Sequence, residues 1–332
     1  MIGTAKDGFA VSITGLGCKV PDRVVTNDEL AEYVDTTNEW IVERTGIRER
    51  RMADDSEALS DLALPAAQEA LRQAGVSGRD IDLIIVATVT PDMAFPSTAA
   101  ILADALGATD AAAYDLSAGC TGFMYALAQG YGMLAGGLAT RALVVGGDLL
   151  SRILDWDDRS TLVLFGDGVG AVVLEAVAEQ GFLGFELGAD GAGGKNLWLP
   201  GSGSRLFDES EKYVKMNGPE VFKFATRILV QSAEELLRTC GLTIDDVDLY
   251  IPHQANRRII DHATRKLGVP SERVVINVDR YGNTSSGSIP LALADAAADG
   301  RLRPGQLVLM TGMGAGLTWG SALMRWTKEM AA

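Results

Sequence analysis

The sequence has few of the residues that usually build metal centres and disulfides. Its 332 residues include only two histidines and three cysteines, and the cysteines at 18, 120 and 240 are widely separated with no CxxC pair. This spacing favours a reducing compartment over a disulfide framework. Two histidines nine residues apart, without a companion cysteine pair, make a poor zinc ligand set. We therefore expect no bound metal.

Positive charge is also scarce. There are 29 lysines and arginines against 44 aspartates and glutamates, a formal net charge of −15. Because phosphate affinity needs clustered basic side chains, this balance argues against nucleic acid or a membrane as partner, and an anionic partner must meet a local basic patch. The N-terminal MIGTAKDGFAVSITGLG has no basic leader before a long apolar core, and no apolar run approaches the ~18 residues of a membrane span. We expect a cytoplasmic protein.

Glycine is abundant, with 38 residues, yet nucleotide-binding motifs are missing. Residues 166–170 and 312–316 read G-x-G-x-G ahead of an apolar segment. A dinucleotide site instead needs G-x-G-x-x-G at the start of a helix, and the P-loop motif G-x-x-x-x-G-K-[ST] does not occur. We expect no cofactor of either kind.

The chain contains an internal duplication. Residues 70–86, ALRQAGVSGRDIDLIIV, and 236–252, LLRTCGLTIDDVDLYIP, share seven identities in 17 positions at an offset of 166. The GCT triplet at 119–121 corresponds to GNT at 282–284, and 166–170 corresponds to 312–316. Chance similarity of helix–turn–strand units is the alternative. The repeats predict two similar halves, residues 1–178 and 179–332, each with mostly parallel sheet covered by helices on both faces.

Cys120 lies in the most informative stretch, YDLSAGCTGFMYAL. An apolar segment ends at Asp115, small residues turn the chain, and Cys120 opens a run with helical apolar spacing. A helix N-terminus favours a thiolate, so this strand-to-helix turn is a suitable environment for a nucleophile. A lone cysteine is also commonly a small buried hydrophobe. Two later residues favour the chemical interpretation.

His253 and Asn283 belong to the second half. His253 follows a predicted strand, where active-site residues of parallel α/β sheets usually lie. Asn283, in RYGNTSSGS, occupies the position that corresponds to Cys120. If the halves pack about a pseudo-twofold axis, the three side chains converge. Cysteine, histidine and asparagine suit acyl transfer through a thioester, followed by carbon–carbon bond formation with loss of CO2.

Several motifs together resemble one family. The segments NEWIVERTGIRER, DLSAGCTGFMYAL, DDRSTLVLFGDGVGA, PHQANRRI, YGNTSSGSIP and GLTWGSAL occur in this order between about residues 12 and 326. Together they look like β-ketoacyl-[acyl carrier protein] synthase III. The resemblance implies a thiolase-type α/β fold with two pseudo-duplicated halves in a five-layered α/β/α/β/α arrangement, and a homodimer. It also implies an acyltransferase that needs no cofactor and condenses a short acyl-CoA with malonyl-[acyl carrier protein] to initiate fatty-acid synthesis.

The resemblance also assigns residue roles, which are expectations here. Cys120 is the acylated nucleophile, His253 and Asn283 promote decarboxylation, and the backbone N–H groups of Cys120 and Ala315 form the oxyanion hole. The remaining expected sites are coenzyme A binding by Thr36, Trp40, Arg44, Arg159 and Asn256; the acyl pocket, with Phe95 (crossing from the partner subunit), Met313 and Leu317; and carrier-protein binding by Lys223, Gln254, Arg257, Arg258, Arg265 and Lys266.

Some positions depart from the family pattern. Residues 314–320 read GAGLTWG where GGGFTWG is usual, and Met313 replaces a common aromatic. Ser286-Gly287 stands where small apolar residues are usual. These changes bear on the starter unit. The alternatives are a relative that primes a polyketide pathway or transfers the acyl group to oxygen or nitrogen, a type III polyketide synthase, which the motifs fit less well, and an inactive acyl-binding scaffold, which would be expected to have lost one of the three residues.

Overall fold

The computed structural model of the chain describes residues 1–4, 9–178 and 180–328. The α-helices are α1 Asn27–Leu30, α2 Asn38–Thr45, α3 Leu59–Ala74, α4 Thr98–Leu106, α5 Gly122–Ala135, α6 Arg159–Leu162, α7 Gly218–Thr239, α8 Arg257–Leu267, α9 Val278–Tyr281 and α10 Ser288–Ala298. The strands are β1 Ile2–Thr4, β2 Ala10–Lys19, β3 Val24–Thr26, β4 Glu49–Arg51, β5 Leu83–Ala87, β6 Ala112–Leu116, β7 Arg141–Asp148, β8 Gly168–Val177, β9 Gly181–Ala189, β10 Leu197–Trp198, β11 Ser202–Gly203, β12 Leu206–Phe207, β13 Lys215–Met216, β14 Leu249–Pro252, β15 Leu307–Gly314 and β16 Thr318–Arg325.

Local sequence determines where the main helices begin and end. The side chains of Ser97 and Asn256 cap α4 and α8 by accepting hydrogen bonds from backbone N–H groups of the first turn. Gly75 and Gly268 end α3 and α8 in the left-handed conformation that glycine adopts most readily. Among the described residues, none of the helices combines the length and apolarity needed to cross a bilayer.

Two five-stranded sheets form the body of the protein. The first has the order β2-β8-β7-β5-β6. In it β7, β5 and β6 are parallel to one another, β8 is antiparallel to β7, and β2 is antiparallel to β8. The second has the order β1-β9-β16-β15-β14, in which β14 and β15 are parallel and the other neighbours antiparallel. Each sheet is therefore mixed, rather than mostly parallel as the sequence predicted.

Helices α5 and α10 lie between the two sheets. Alternate residues of the central strands face opposite directions, so that Leu83 and Ile85 of β5 pack inward against these helices. Ile84 and Val86 pack outward in the same cluster as α3 and α4. On the far side of the second sheet, Tyr250 and other apolar side chains pack with those of α7 and α8. The described residues thus form five layers, as the resemblance implied.

The two sheets repeat one order of elements. From the edge inward, β2, β8, β7 and β5 correspond to β9, β16, β15 and β14, and the counterpart of β6 is a single parallel bridge between Tyr250 and Val274. The predicted boundary falls between residues 178 and 179, and residue 179 lies outside the described residues. β1 pairs with β9, so the start of the chain joins the second sheet.

Candidate active site

Cys120 lies in a tight turn between β6 and α5. Residues 119–121 form a single 3₁₀ turn that leads directly into α5. Gly119 has a φ of 56°, and a Cβ on it would come within 2.9 Å of the Ala315 backbone nitrogen. The turn therefore requires glycine. As a result, the backbone of residue 315 lies next to the cysteine.

The Cys120 thiol is buried, and this changes its acidity. Burial raises the pKa of the thiol to about 11, although hydrogen bonds from the Ser285 side chain and from the backbone N–H groups of Cys120 and Ala315 act in the opposite direction. The buried charge of Asp148 raises the pKa further. Desolvation therefore opposes the helix N-terminus, which the sequence predicted to favour a thiolate.

His253 follows β14 and is held by its backbone, whose N–H donates to the Thr311 carbonyl at 2.8 Å. Its side chain is buried, and neither ring nitrogen has a hydrogen-bond partner among the described residues. Burial lowers the pKa of the imidazole to about 4. His253 is therefore neutral at physiological pH, with one N–H donor and one free lone pair.

Asn283 is fixed at its backbone and at its side-chain oxygen. Its backbone N–H donates to the Leu164 carbonyl at 2.8 Å, and its carbonyl accepts from the Gly166 N–H at 3.0 Å. The side-chain Oδ1 accepts from the Ser285 N–H at 2.9 Å. In the part of the chain that the structure describes, Nδ2 donates to no acceptor, so the amide N–H₂ is available to a ligand.

The structure brings Cys120, His253 and Asn283 together around one cavity of about 160 Å³, which we call the histidine cavity. A second cavity of about 130 Å³, the leucine cavity, is lined by Leu150, Leu154 and other apolar side chains, with Ser285 and Ala315 beside the cysteine. Cys120 lines both cavities. The thiol therefore lies between the histidine cavity, which contains the His253 and Asn283 side chains, and the apolar leucine cavity.

The three residues expected in an acyl pocket do not line the leucine cavity of this chain. Phe95 is 85% exposed and does not line the leucine cavity of its own subunit. Met313 lines the histidine cavity, on the opposite side of the cysteine. Leu317 lines neither cavity and is packed so closely against Gly193 that a Cβ there would lie 2.5 Å from its methyl group. Met313 and Leu317 therefore lie outside the leucine cavity, because the chain turns away from it after Ala315.

Ala315 itself fits its position without strain. In the described residues, the non-glycine positions with positive φ are Gln180 and Ser285, so the φ of Ala315 is negative, as is usual for L-residues. The replacement of glycine therefore costs little conformational freedom here.

The residues expected to hold coenzyme A form a cluster around Trp40. The guanidinium carbons of Arg159 and Arg44 lie 4.9 Å and 5.7 Å from the ring centroid, a pair of cation–π contacts. The Thr36 hydroxyl is buried and has no hydrogen-bond partner among the described residues. The Asn256 side chain accepts from the Arg258 N–H and donates to the Arg44 carbonyl. Stacking the planar base of coenzyme A between the Trp40 ring and the Arg159 guanidinium would need about 7 Å between them, twice a van der Waals contact distance. The two groups, 4.9 Å apart, would therefore have to separate by about 2 Å.

Most of the expected basic patch is exposed along α8 and α7. Lys223, Arg258, Arg265 and Lys266 are exposed and form no ion pair with a described carboxylate, while Arg257 pairs with Asp261 at 2.7 Å. Arg258 lies over the ring of Phe222, which lines the histidine cavity.

Gln254 does not belong to the expected carrier-protein surface. Its side chain is buried, donates to the Pro252 and Val275 carbonyls, and accepts from the Asn277 and Val278 N–H groups. It fixes a loop and cannot contact a protein partner.

Comparison with known proteins supports one family. Residues 114–191 match the family described as 3-oxoacyl-[acyl-carrier-protein (ACP)] synthase III, and residues 237–326 match its C-terminal family. The chain is 54% identical over 323 residues to the β-ketoacyl-[acyl-carrier-protein] synthase III of Symbiobacterium thermophilum, covering 95% of this chain and 98% of that protein. The chain belongs to the β-ketoacyl-[acyl-carrier-protein] synthase III family.

Solved structures agree with this membership. The synthase III of Thermus thermophilus is 51% identical, with a TM-score of 0.91 over 95% of this chain and 99% of that one. A priming β-ketosynthase from the R1128 polyketide pathway is 37% identical, with a TM-score of 0.91 over 96% and 97%. The predictions of a thiolase-type α/β fold and of an acyltransferase of the synthase III family are thereby confirmed.

Sequence analysis of this synthase III family member missed several residues at the site. Phe165 and Leu197 line both cavities beside Cys120, and Phe165 forms an isolated parallel bridge with Asn283. Ser285 lies in the YGNTSSGSIP motif, but only the fold shows that its side chain reaches the Cys120 thiol. Leu197 begins the two-residue strand β10 and has no pattern that would have identified it.

Proposed function

We propose that this enzyme carries out a decarboxylative Claisen condensation of a short acyl-CoA with malonyl-[acyl carrier protein], giving a β-ketoacyl-[acyl carrier protein] and initiating fatty-acid synthesis. Family membership supports the reaction class. The observation that carries the residue roles is that Cys120, neutral His253 and Asn283 line one cavity. Both His253 ring nitrogens and the Asn283 Nδ2 have no hydrogen-bond partner among the described residues.

In the first half-reaction the Cys120 sulfur attacks the acyl-CoA carbonyl. A sulfur–carbon bond to the enzyme forms, the bond to coenzyme A breaks, and the proton lost by Cys120 leaves with the coenzyme A sulfur. The backbone N–H groups of Cys120 and Ala315 stabilise the oxyanion of the tetrahedral intermediate, a role their proximity to the sulfur supports. The raised pKa means that the thiol loses its proton during attack rather than beforehand.

In the second half-reaction malonyl-[acyl carrier protein] enters the histidine cavity. Its carbon–carboxylate bond breaks to release CO2, and the electron pair forms an enolate. One N–H of the neutral His253 and the Asn283 Nδ2–H₂ donate hydrogen bonds to the enolate oxygen. The enolate carbon then attacks the acyl-cysteine carbonyl and the new carbon–carbon bond forms. Cys120 leaves as the sulfur anion, which takes up a proton from solvent to restore the resting thiol.

The remaining roles follow from the surfaces around the site. The leucine cavity, of about 130 Å³ and lined by apolar side chains, receives the acyl group. Trp40, Arg159, Arg44 and Thr36 bind coenzyme A. The exposed basic side chains on α7 and α8 receive the acidic carrier protein.

A homodimer and a division into two halves complete the proposal. The 85% exposed Phe95 is suited to cover the leucine cavity of a partner subunit, since it lies outside the cavity of its own. The halves are residues 1–178 and 179–332, with one element order in each sheet as support. The enzyme works in the cytoplasm without a metal or another cofactor.

The deciding experiment is Cys120→Ala. Intact-protein mass spectrometry after incubation with acetyl-CoA should show an acyl adduct on the wild type and none on the variant. The matched control is Cys240→Ala, because Cys240 is half-buried and lies outside both cavities. An adduct on Cys120→Ala at the wild-type yield would exclude Cys120 as the nucleophile.

Priming of a polyketide pathway is the second candidate, favoured by the likeness to the R1128 priming ketosynthase. That relative is 37% identical, compared with 54% for the S. thermophilum synthase III, which is why fatty-acid initiation comes first. A panel of acyl-CoAs assayed with malonyl-[acyl carrier protein] separates the two by the preferred starter.

A further inference from the structure

Arg50, in β4, is fully buried although it carries a charge. Its side chain has no accessible surface, and no described carboxylate lies within ion-pair distance of it. Burial lowers the pKa of its guanidinium to about 10. A buried cation without an anion is costly, so a protein retains one where its hydrogen bonds are needed.

The guanidinium is held by neutral oxygen atoms. Nη1 donates to Asn27 Oδ1 at 2.9 Å and to the Val25 carbonyl at 3.3 Å, and Nη2 donates to the Val163 carbonyl at 3.0 Å. Nε has no partner among the described residues. Asn27 is fixed in turn by donating to the Ile47 carbonyl at 2.8 Å.

Val163 is the first residue of the segment that holds the backbone of Asn283. The next residue, Leu164, accepts the Asn283 N–H at 2.8 Å, and Gly166 donates to the Asn283 carbonyl at 3.0 Å. Arg50 also packs behind this segment from the other side. A Cβ on Gly282 would lie 3.3 Å from the Arg50 Cβ, and one on Gly166 would lie 2.9 Å from it.

We infer that Arg50 is a positioning residue for Asn283: its guanidinium anchors the Val163–Gly166 segment, which determines where the Asn283 amide meets the reacting carbonyl. This rests on the proposed role of Asn283 in decarboxylation. Arg50 lines neither cavity and so touches no substrate. Its effect must therefore pass through Asn283 and appear in one half-reaction only.

The test is a double-mutant cycle of Arg50→Lys with Asn283→Ala, measuring CO2 release from malonyl-[acyl carrier protein] by enzyme already acylated at Cys120. Arg50→Lys keeps the charge but cannot reach three acceptors in a planar fork. It should slow CO2 release about tenfold in the wild-type background and less than about twofold in the Asn283→Ala background, since coupled residues are non-additive. Acylation at saturating acetyl-CoA should stay within about twofold of the wild-type rate.

Arg51→Lys is the matched control. Arg51 is the next residue of β4, but its side chain pairs with Glu49 at 3.3 Å, so both half-reactions should be unchanged. If Arg50→Lys does not yield folded enzyme, as judged by thermal unfolding, Asn27→Ser replaces it in the cycle. That variant removes one acceptor and should slow CO2 release about threefold, again only when Asn283 is present.

Equal losses in both backgrounds, equal losses in both half-reactions, or no loss would each overturn the inference. Failure of the proposed function is a different result. If Asn283→Ala alone released CO2 at the wild-type rate, Asn283 would have no role in decarboxylation, whatever Arg50 does.

Discussion

The Oδ1 atom of Asn283 accepts a hydrogen bond from the backbone N–H of Ser285 at 2.9 Å. Because an N–H group can only donate, this contact fixes which end of the amide is the oxygen and leaves Nδ2 as the donor toward the histidine cavity. Ser285 reaches this geometry with a φ of 51°, an unusual value for a residue other than glycine. The turn thus orients Asn283 for a developing negative charge.

Replacing either polar side chain should separate the half-reactions. His253→Ala and Asn283→Ala should each acylate at Cys120 to the wild-type yield but lose at least about a hundredfold in CO2 release, since each removes a donor to the enolate. Acylation is followed by intact mass and decarboxylation by CO2 release. Loss of acylation in Asn283→Ala, with decarboxylation retained, would reverse the assigned roles.

The reactivity of the resting thiol should rise at unusually high pH. Burial raises the pKa of Cys120 to about 11, so its alkylation by iodoacetamide should keep accelerating well above the ~8.5 of an ordinary cysteine. Peptide mapping isolates Cys120 from Cys18 and Cys240, and a free cysteine derivative serves as the reference. An inflection below pH 8 would show that the helix N-terminus outweighs burial.

Acid should destabilise the fold partly through His253. The pKa of this imidazole is lowered to about 4 when folded and lies near 6.5 when unfolded, so the unfolded state binds the extra proton between these values. Stability is therefore full above pH 6.5 and falls as the pH drops toward 4, by about 3 kcal/mol from this group. Urea unfolding of wild type and His253→Gln across this window measures the difference. Identical pH slopes would mean that His253 is not buried as a neutral group.

Charge reversal on α8 should weaken only the carrier-protein step. Arg258→Glu should raise KM for malonyl-[acyl carrier protein] about tenfold and make its salt dependence shallower, because the exposed Arg258 lies at the mouth of the histidine cavity. Acylation by acetyl-CoA should barely change. Arg79→Glu makes the same charge change at an exposed position in the first half and is the control. A loss shared by both half-reactions would indicate damage to the cavity.

The sequence predicted the local features of the site better than the contacts made across the fold. The correspondence of Cys120 with Asn283 was visible because each lies in a short motif that turns the chain into a helix, and the structure brings both to one cavity. Gln254 was misassigned because it belongs to the same motif as the exposed Arg257 and Arg258. Its burial depends on carbonyls of residues 252 and 275 and on N–H groups of residues 277 and 278.

The same limit applies to Met313, Leu317 and Cys120. Met313 and Leu317 flank the tight approach of residue 315 to Gly119, and only the three-dimensional path of the chain shows on which side each lies. The acidity of Cys120 depends on desolvation as well as on the helix N-terminus, and a sequence motif indicates the helix N-terminus but not the degree of burial.

The location of α5 and α10 between the sheets affects how the enzyme fails when heated. The turns that carry Cys120 and Asn283 lead into these two central helices, whose apolar side chains belong to the largest core cluster. Regions of this kind open only with the whole molecule, whereas surface loops fray first. The catalytic centre should therefore remain intact while peripheral segments, such as the hairpin of β11 and β12, loosen. Inactivation would then coincide with global unfolding, with no inactive folded intermediate preceding it.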